Sequence, residues 1–202
     1  MDLSEYIGES TLHEKKESVE RNKPKSWLKT VSAFANDKGG VIIFGISDDD
    51  EFVGLENYKS DSEFISTTIK AKIDPVPKVR LENYNENNKN FILLFVEVGA
   101  ETPYYIVDGG NRSSYVRVGN QSVVAASAEL KNLVLKGMNK TFDLLPTDIP
   151  LEKATFKRLR IDYEKITNLK FEEKDFISFG LVTNNNVLTY AGALLADEDL
   201  DR

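Results

Sequence analysis

Three carboxylates spread over the first fifty residues have the types and spacing of a site that acts on phosphate. Glu9 and Glu14 lie five residues apart, and Asp48 begins a run of three aspartates after an apolar strand predicted over 41–46. If a strand predicted over 11–16 pairs with that strand, Glu14 and Asp48 come close, with Glu9 entering from the preceding loop. Such oxygen ligands bind Mg²⁺ or Mn²⁺, which activates water and stabilises a phosphoryl transition state. The alternative is that both glutamates are ordinary surface charges.

Two further features lie beside these carboxylates. Lys16 follows Glu14 by two residues, so both side chains share one face of the strand, and the ammonium could hold a phosphate. Gly39 and Gly40 precede the 41–46 strand and permit a close backbone approach, or they simply end the preceding helix, since glycine adopts positive φ at little cost. The aspartate run, equally, is compatible with a plain solvated turn.

Composition restricts the classes of function. The 202 residues are 41% hydrophobic, which suffices to bury a core, and no apolar stretch reaches the roughly 20 residues that span a bilayer. The absence of cysteine fits a reducing, cytoplasmic location, and a single histidine, His13, argues against a histidine-rich zinc site or a Ser-His-Asp triad. A formal net charge of −7 argues against strong nonspecific DNA binding but leaves room for a local basic patch.

Periodicity predicts an α+β domain with a mixed sheet flanked by helices, over residues 1–140. The predicted helices cover 24–36, 60–73 and a segment that begins at Ser127, and the predicted strands cover 11–16, 41–46, 78–84, 90–98, 104–107 and 114–118. A composition shift at 141–150 introduces a small helical extension over 141–202, with helices predicted over 151–163 and 172–179. The abrupt acidic ending at 197–202 suggests a fragment of a longer protein.

Two blocks of residues carry a family resemblance. They are Glu9-Ser10, Glu14, Lys16, residues 32–36, Gly39-Gly40, Ile42, Gly45-Ile46, Asp48-Asp49 and residues 53–55, then residues 103–105, 114–117, Gly119, Ser122 and 126–130. In order and spacing they resemble the Schlafen/AlbA-like domain, once called divergent AAA, of bacterial transcriptional regulators and helicase-related proteins.

The resemblance implies two activities of different class. As in bacterial regulators, the domain would bind nucleic acid, DNA above all, through residues at the matching motif positions: Lys16, Asn36, Gly39, Gly40 and Arg117. Arg117 could equally pair with an acidic neighbour. As in animal Schlafen proteins, where paired copies form a metal-dependent RNA endonuclease, Glu9, Glu14 and Asp48 would be the catalytic and metal-binding residues, with Mg²⁺ or Mn²⁺. A third alternative is a dimerisation scaffold for an ATPase-like or winged-helix region further along the chain.

Two departures from the family pattern stand close to this site. Lys15 replaces an apolar residue between Glu14 and Lys16, and Asp50 replaces the glycine that closes the aspartate turn. A single copy would need to form a homo-oligomer, most simply a dimer, to build the groove of the nuclease form. With no phosphate-binding loop, ATP is not expected as a ligand.

Overall fold

A computed structural model describes residues 3–139 and 141–197. It divides the chain into two compact units, Met1–Met138 and Asn139–Arg202. The limits predicted from the sequence for two domains, 1–140 and 141–202, stay a prediction. Of the acidic ending at 197–202, only Asp197 is among the described residues.

The first unit has the predicted α+β class. Its strands are β1 (His13–Lys16), β2 (Gly40–Phe44), β3 (Ile73–Asp74), β4 (Val79–Glu86), β5 (Lys89–Val96), β6 (Tyr105–Asp108), β7 (Asn111–Val118) and β8 (Gln121–Val124). Its helices are α1 (Lys25–Asn36), α2 (Tyr58–Lys72) and α3 (Ser127–Gly137). The short strands β3 and β8 are additions to the elements predicted from the sequence. Strand β3 has only two residues, and β8, with the sequence Gln-Ser-Val-Val, does not alternate apolar and polar residues.

In this unit the described strands form two four-stranded sheets. The first has the order β1-β2-β5-β4 and the second β3-β6-β7-β8. Strand β1 runs parallel to β2, with Glu14 opposite Ile42, whereas β2 and β5 are antiparallel, so the first sheet is mixed as predicted. The predicted pairing of the first strand with the apolar strand is therefore confirmed, and β2 is a central strand.

Helix α1 packs against both sheets. It contacts β2 and β5 of the first sheet and β6, β7 and β8 of the second. Trp27, Val31 and Phe34 are fully buried, as their helical spacing predicts, but Ser32 and Asn36 are buried as well. A helix with one apolar face was expected; the second sheet covers the polar side too, so those polar groups need partners inside the protein.

The opposite face of the first sheet has a separate apolar cluster. Leu3, in a 3₁₀ turn at Leu3–Tyr6, is fully buried there against Val41, Ile43 and Phe91. The polar first ten residues thus contribute an anchor to the core, and they hold the segment that carries Glu9 close to β1.

The second unit, taken by itself, contains α4 (Lys157–Thr167), α5 (Glu173–Ser178) and α6 (Tyr190–Leu195) around a cluster that includes Phe156, Phe171 and Phe176. It also contains an antiparallel pair, β9 (Pro146–Pro150) with β10 (Val187–Thr189). Strand β9 was not predicted from the sequence, because it has a proline at each end and proline is rare within sheets. No described helix of the chain is long and apolar enough to cross a membrane.

Asn36 connects α1 to the second sheet. Its amide nitrogen donates to the Tyr104 carbonyl at 3.2 Å, to Ser114 Oγ at 2.9 Å and to the Tyr115 carbonyl at 2.9 Å. Its amide oxygen accepts from the Tyr104 N–H at 2.7 Å. A single side chain 2% exposed therefore binds the backbone of Tyr104, directly before β6, and of Tyr115 in β7.

We expect Asn36→Ala to lower the free energy of unfolding by roughly 3 kcal/mol, because the buried Tyr104 N–H and Tyr115 carbonyl lose the side chain that binds them. Urea denaturation followed by circular dichroism measures this loss. Asn132→Ala, at an exposed position of α3, is the control and should change stability by less than about 0.5 kcal/mol. Equal stability of the two variants would contradict the role of Asn36.

Candidate functional site

A polar cavity of about 250 Å³ lies where β1, α1 and the β7–β8 hairpin meet. Its wall is formed by Gly8, Glu9, Ser10, His13, Glu14, Lys15, Lys16, Lys29, Asp48, Asn120, Gln121 and Ser122. All three carboxylates predicted from the sequence, and Lys16, line this one cavity. Asn36, Gly39, Gly40 and Arg117 do not line it.

The register of β1 places Glu14 and Lys16 side by side. In the parallel pairing with β2, Glu14 lies opposite Ile42 and Lys16 opposite Phe44, so both side chains project from the same face of the sheet. The Lys16 ammonium lies 3.1 Å from Glu14 Oε1, and the two side chains are 24% and 15% exposed. The expectation that the two residues share a face is confirmed.

Arg117 forms a buried ion pair with Glu14. Its Nη1 donates to Glu14 Oε2 at 2.8 Å, and the arginine side chain is 1% exposed. Nη1 also donates to Ser122 Oγ and Nη2 donates to the Ser10 carbonyl, both at 3.0 Å. Of the two roles left open for Arg117, the structure shows pairing with an acidic neighbour. No part of the guanidinium is exposed enough to meet a phosphate.

Thr30 completes the surroundings of Glu14. Its hydroxyl donates to Glu14 Oε2 at 2.6 Å and lies 3.1 Å from Ser122 Oγ. One carboxylate is thus bonded to β7 through Arg117, to α1 through Thr30 and to its own strand through Lys16. Sequence analysis missed Thr30, because a threonine inside a helix gives no sign of a partner sixteen residues away.

The other two carboxylates lie at the rim of the cavity. Both Glu9 and Asp48 are exposed, and Glu9 accepts a hydrogen bond from the Asn120 side chain at the tip of the β7–β8 hairpin. Within residues 3–139 and 141–197, no three His, Cys, Asp or Glu side chains form a group that could hold a metal ion. Since both oxygens of Glu14 already bind cationic groups, a divalent ion would bind this carboxylate only by displacing Lys16 or Arg117.

Lys15 and Asp50, the two departures from the family pattern, are partners. The Lys15 ammonium, on a side chain 7% exposed, forms an ion pair with Asp50 Oδ1, which also accepts from the Gly8 N–H at 3.0 Å. Asp50 has a φ of +66°, the conformation that usually requires glycine. The hydrogen bond from Lys15 lowers the pKa of Asp50 below its ordinary value of 3.8. The two departures from the family pattern therefore compensate each other, because the charge of Lys15 is balanced by Asp50. The hydrogen bond from Gly8 to Asp50 also connects the N-terminal segment to the aspartate turn.

Gly39 and Gly40 serve the close packing of β2. Gly39 has a φ of +77°, and a Cβ added there would lie 2.7 Å from the Val96 carbonyl oxygen. A Cβ on Gly40 would lie 2.7 Å from the Leu12 carbonyl oxygen and from the Phe34 ring. Together with buried Asn36, these glycines lie at the end of β2 away from the aspartate turn, and they pack inside the protein.

The fold and this cavity define an α+β domain with a charged site between two sheets. Residues 9–126 match the family described as Schlafen, AlbA_2. Because the match covers more than half of the chain, the protein belongs to this family, as the motif residues predicted.

Two solved structures are distantly similar. The protein DIP2311 from Corynebacterium diphtheriae has 21% sequence identity and a TM-score of 0.46; the match covers 92% of this chain but only 39% of that one. The N-terminal domain of a RecG-related protein from Nitrosomonas europaea has 20% identity and a TM-score of 0.43, over 59% of this chain and 85% of that one. No curated protein matches the sequence significantly.

We expect Asp50→Asn to unfold at a lower temperature than the wild type near neutral pH, because buried Lys15 loses its counter-charge. A carboxyl whose pKa is lowered by folding stabilises the protein fully above pH 3.8 and loses that contribution as the pH falls below this value. The difference in Tm should therefore shrink as the pH is lowered from about 7 to about 3.

The matched control for these Tm measurements is Asp49→Asn, which removes one negative charge from the same turn. It should leave Tm close to the wild-type value at every pH, since Asp49 is exposed. A Tm difference for Asp50→Asn that is independent of pH would contradict the role of the Lys15–Asp50 pair.

Proposed function

We propose that this chain binds nucleic acid by holding the sugar-phosphate backbone at the cavity between β1, α1 and the β7–β8 hairpin. The observation that supports it is the way Glu14 is neutralised. Arg117 pairs with this carboxylate from the buried side, so its charge is already balanced before Lys16 is counted. The Lys16 ammonium at the cavity wall therefore keeps positive charge for a phosphate oxygen.

The remaining groups of the wall suit the same ligand. Asn120 and Gln121 are exposed at the hairpin and carry side-chain amides, which donate to phosphate, sugar or base edges. With a net charge of −7, the protein cannot rely on a broad basic surface, so binding is confined to this local site. The ligand that we propose first is DNA, and the role that we propose for the protein is that of a bacterial transcriptional regulator. We further propose that the protein is a dimer, and light scattering measures this oligomeric state.

Fluorescence anisotropy with labelled duplex DNA, single-stranded DNA and structured RNA at low ionic strength tests this proposal. We expect Lys16→Met to weaken binding roughly tenfold, because it removes a charge-assisted hydrogen bond to phosphate. Lys70→Met, at an exposed position of α2, removes the same charge away from the cavity and should bind as the wild type does. A wild-type protein that binds none of the three probes would contradict the proposal.

A metal-dependent nuclease is the second candidate, because Glu9, Glu14 and Asp48 all line this cavity. Against it stands the engagement of both Glu14 oxygens by Arg117, Thr30 and Lys16. The same three probes, incubated with EDTA or with Mn²⁺, separate the candidates. Cleavage that requires Mn²⁺ and is lost in Asp48→Asn, but kept in Asp49→Asn, would establish the nuclease. Probes that stay intact under every condition would contradict the nuclease, and binding without cleavage would be the remaining function.

A further inference from the structure

Lys29 differs from the other charged side chains of the cavity wall. It lies on α1, directly before Thr30, and its side chain is half-buried. Sequence analysis did not single it out, because a lysine between buried Leu28 and Thr30 looks like an ordinary solvent-facing position of a helix. The cavity places it opposite the residues of β1 and the aspartate turn.

Most charged groups of this wall already have partners. Glu9 binds Asn120, Lys15 binds Asp50, and Glu14 binds both Arg117 and Lys16. Over the part of the chain that the structure describes, the side chains of Lys29 and Asp48 have neither a hydrogen bond nor an ion pair. Asp48 is exposed, so water solvates its charge, whereas a half-buried ammonium with no counter-ion gains from an anion.

We propose that Lys29 is the principal phosphate-binding residue of this site and acts with Lys16 on no more than two adjacent backbone phosphates. This inference rests on the proposed nucleic-acid binding and specifies its ligand. A cavity of about 250 Å³ is smaller than the roughly 300–1,000 Å³ of a typical small-molecule pocket, so it suits a short stretch of sugar-phosphate backbone with at most two phosphates. The backbone phosphates are therefore bound by direct contact with two ammonium groups, those of Lys16 and Lys29.

The first test uses inorganic phosphate and dimethyl phosphate as probes and needs no nucleic acid. In protein with isotope-labelled lysine, the side-chain NMR signal of Lys29 is assigned by its loss in Lys29→Met. We expect this signal to shift in a saturable way as either probe is added, while the signal of exposed Lys70 stays in place. A Lys29 signal that does not move, or that moves only in parallel with Lys70, overturns the proposal.

The second test counts phosphates through the salt dependence of binding to a labelled single strand. Two neutralised phosphates predict a slope of log K against log salt concentration of about −1.4, and one predicts about −0.7. We expect Lys29→Met to bind about tenfold more weakly at low salt and to show the smaller slope, with Lys29→Arg restoring both and Lys70→Met changing neither. A Lys29→Met variant with unchanged slope and affinity overturns the inference.

The two tests separate the inference from the proposed function. If the wild type binds no nucleic acid but the Lys29 signal responds to phosphate, the proposed function fails and the assignment of Lys29 as a phosphate-binding residue stands. If nucleic acid binds and Lys29→Met has no effect, the function stands and the assignment fails. Circular dichroism and the unfolding midpoint of Lys29→Met confirm that it is folded, as expected for methionine in place of a half-buried lysine stem.

Discussion

The ion pair between Glu14 and Arg117 is the constraint on which the first unit depends. It joins β1, at the edge of one sheet, to β7 of the other, across 103 residues of sequence. A buried ion pair is costly unless its other polar atoms are bonded, and Thr30, Ser122 and the Ser10 carbonyl bind most of them. Within the described residues, Arg117 Nε has no hydrogen-bond partner. These groups belong to the elements that form the cavity wall, so one interaction both holds the sheets together and shapes the site.

The same pair decides the charge of the cavity. An acidic protein with three carboxylates beside its lysines would repel phosphate if every carboxylate remained unpaired. Arg117 neutralises Glu14 from the interior, and Asp50, which does not line the cavity, pairs with Lys15. What remains toward solvent is Lys16 and Lys29 within the wall, with Glu9 and Asp48 at the rim. The local charge thus differs from the net charge of −7 that composition alone gives.

Helices, strands and motif spacing could be predicted from the sequence, whereas contacts between residues far apart in the chain could not. Periodicity predicted α1, the tendency of consecutive strands to pair predicted the pairing of β1 with β2, and the spacing of motif residues predicted the family. The same motif suggested that Asn36 and Arg117 contact nucleic acid, yet both are bonded inside the protein. Lys15 and Asp50 looked like two unrelated departures, since residues 35 positions apart become partners only once β1 and the aspartate turn are placed. The register of side chains on a strand can be predicted locally, whereas their partners cannot.

A double-mutant cycle of Glu14→Gln and Arg117→Met, with the free energy of unfolding measured in urea, tests the central claim most directly. Each single variant should be destabilised, because it leaves one buried charge without its partner. We predict a coupling energy of about 2 kcal/mol between the two positions, so that the double variant loses much less stability than the sum of the single losses. Losses that add to within about 0.5 kcal/mol would contradict the claim that this pair holds the two sheets and the cavity together.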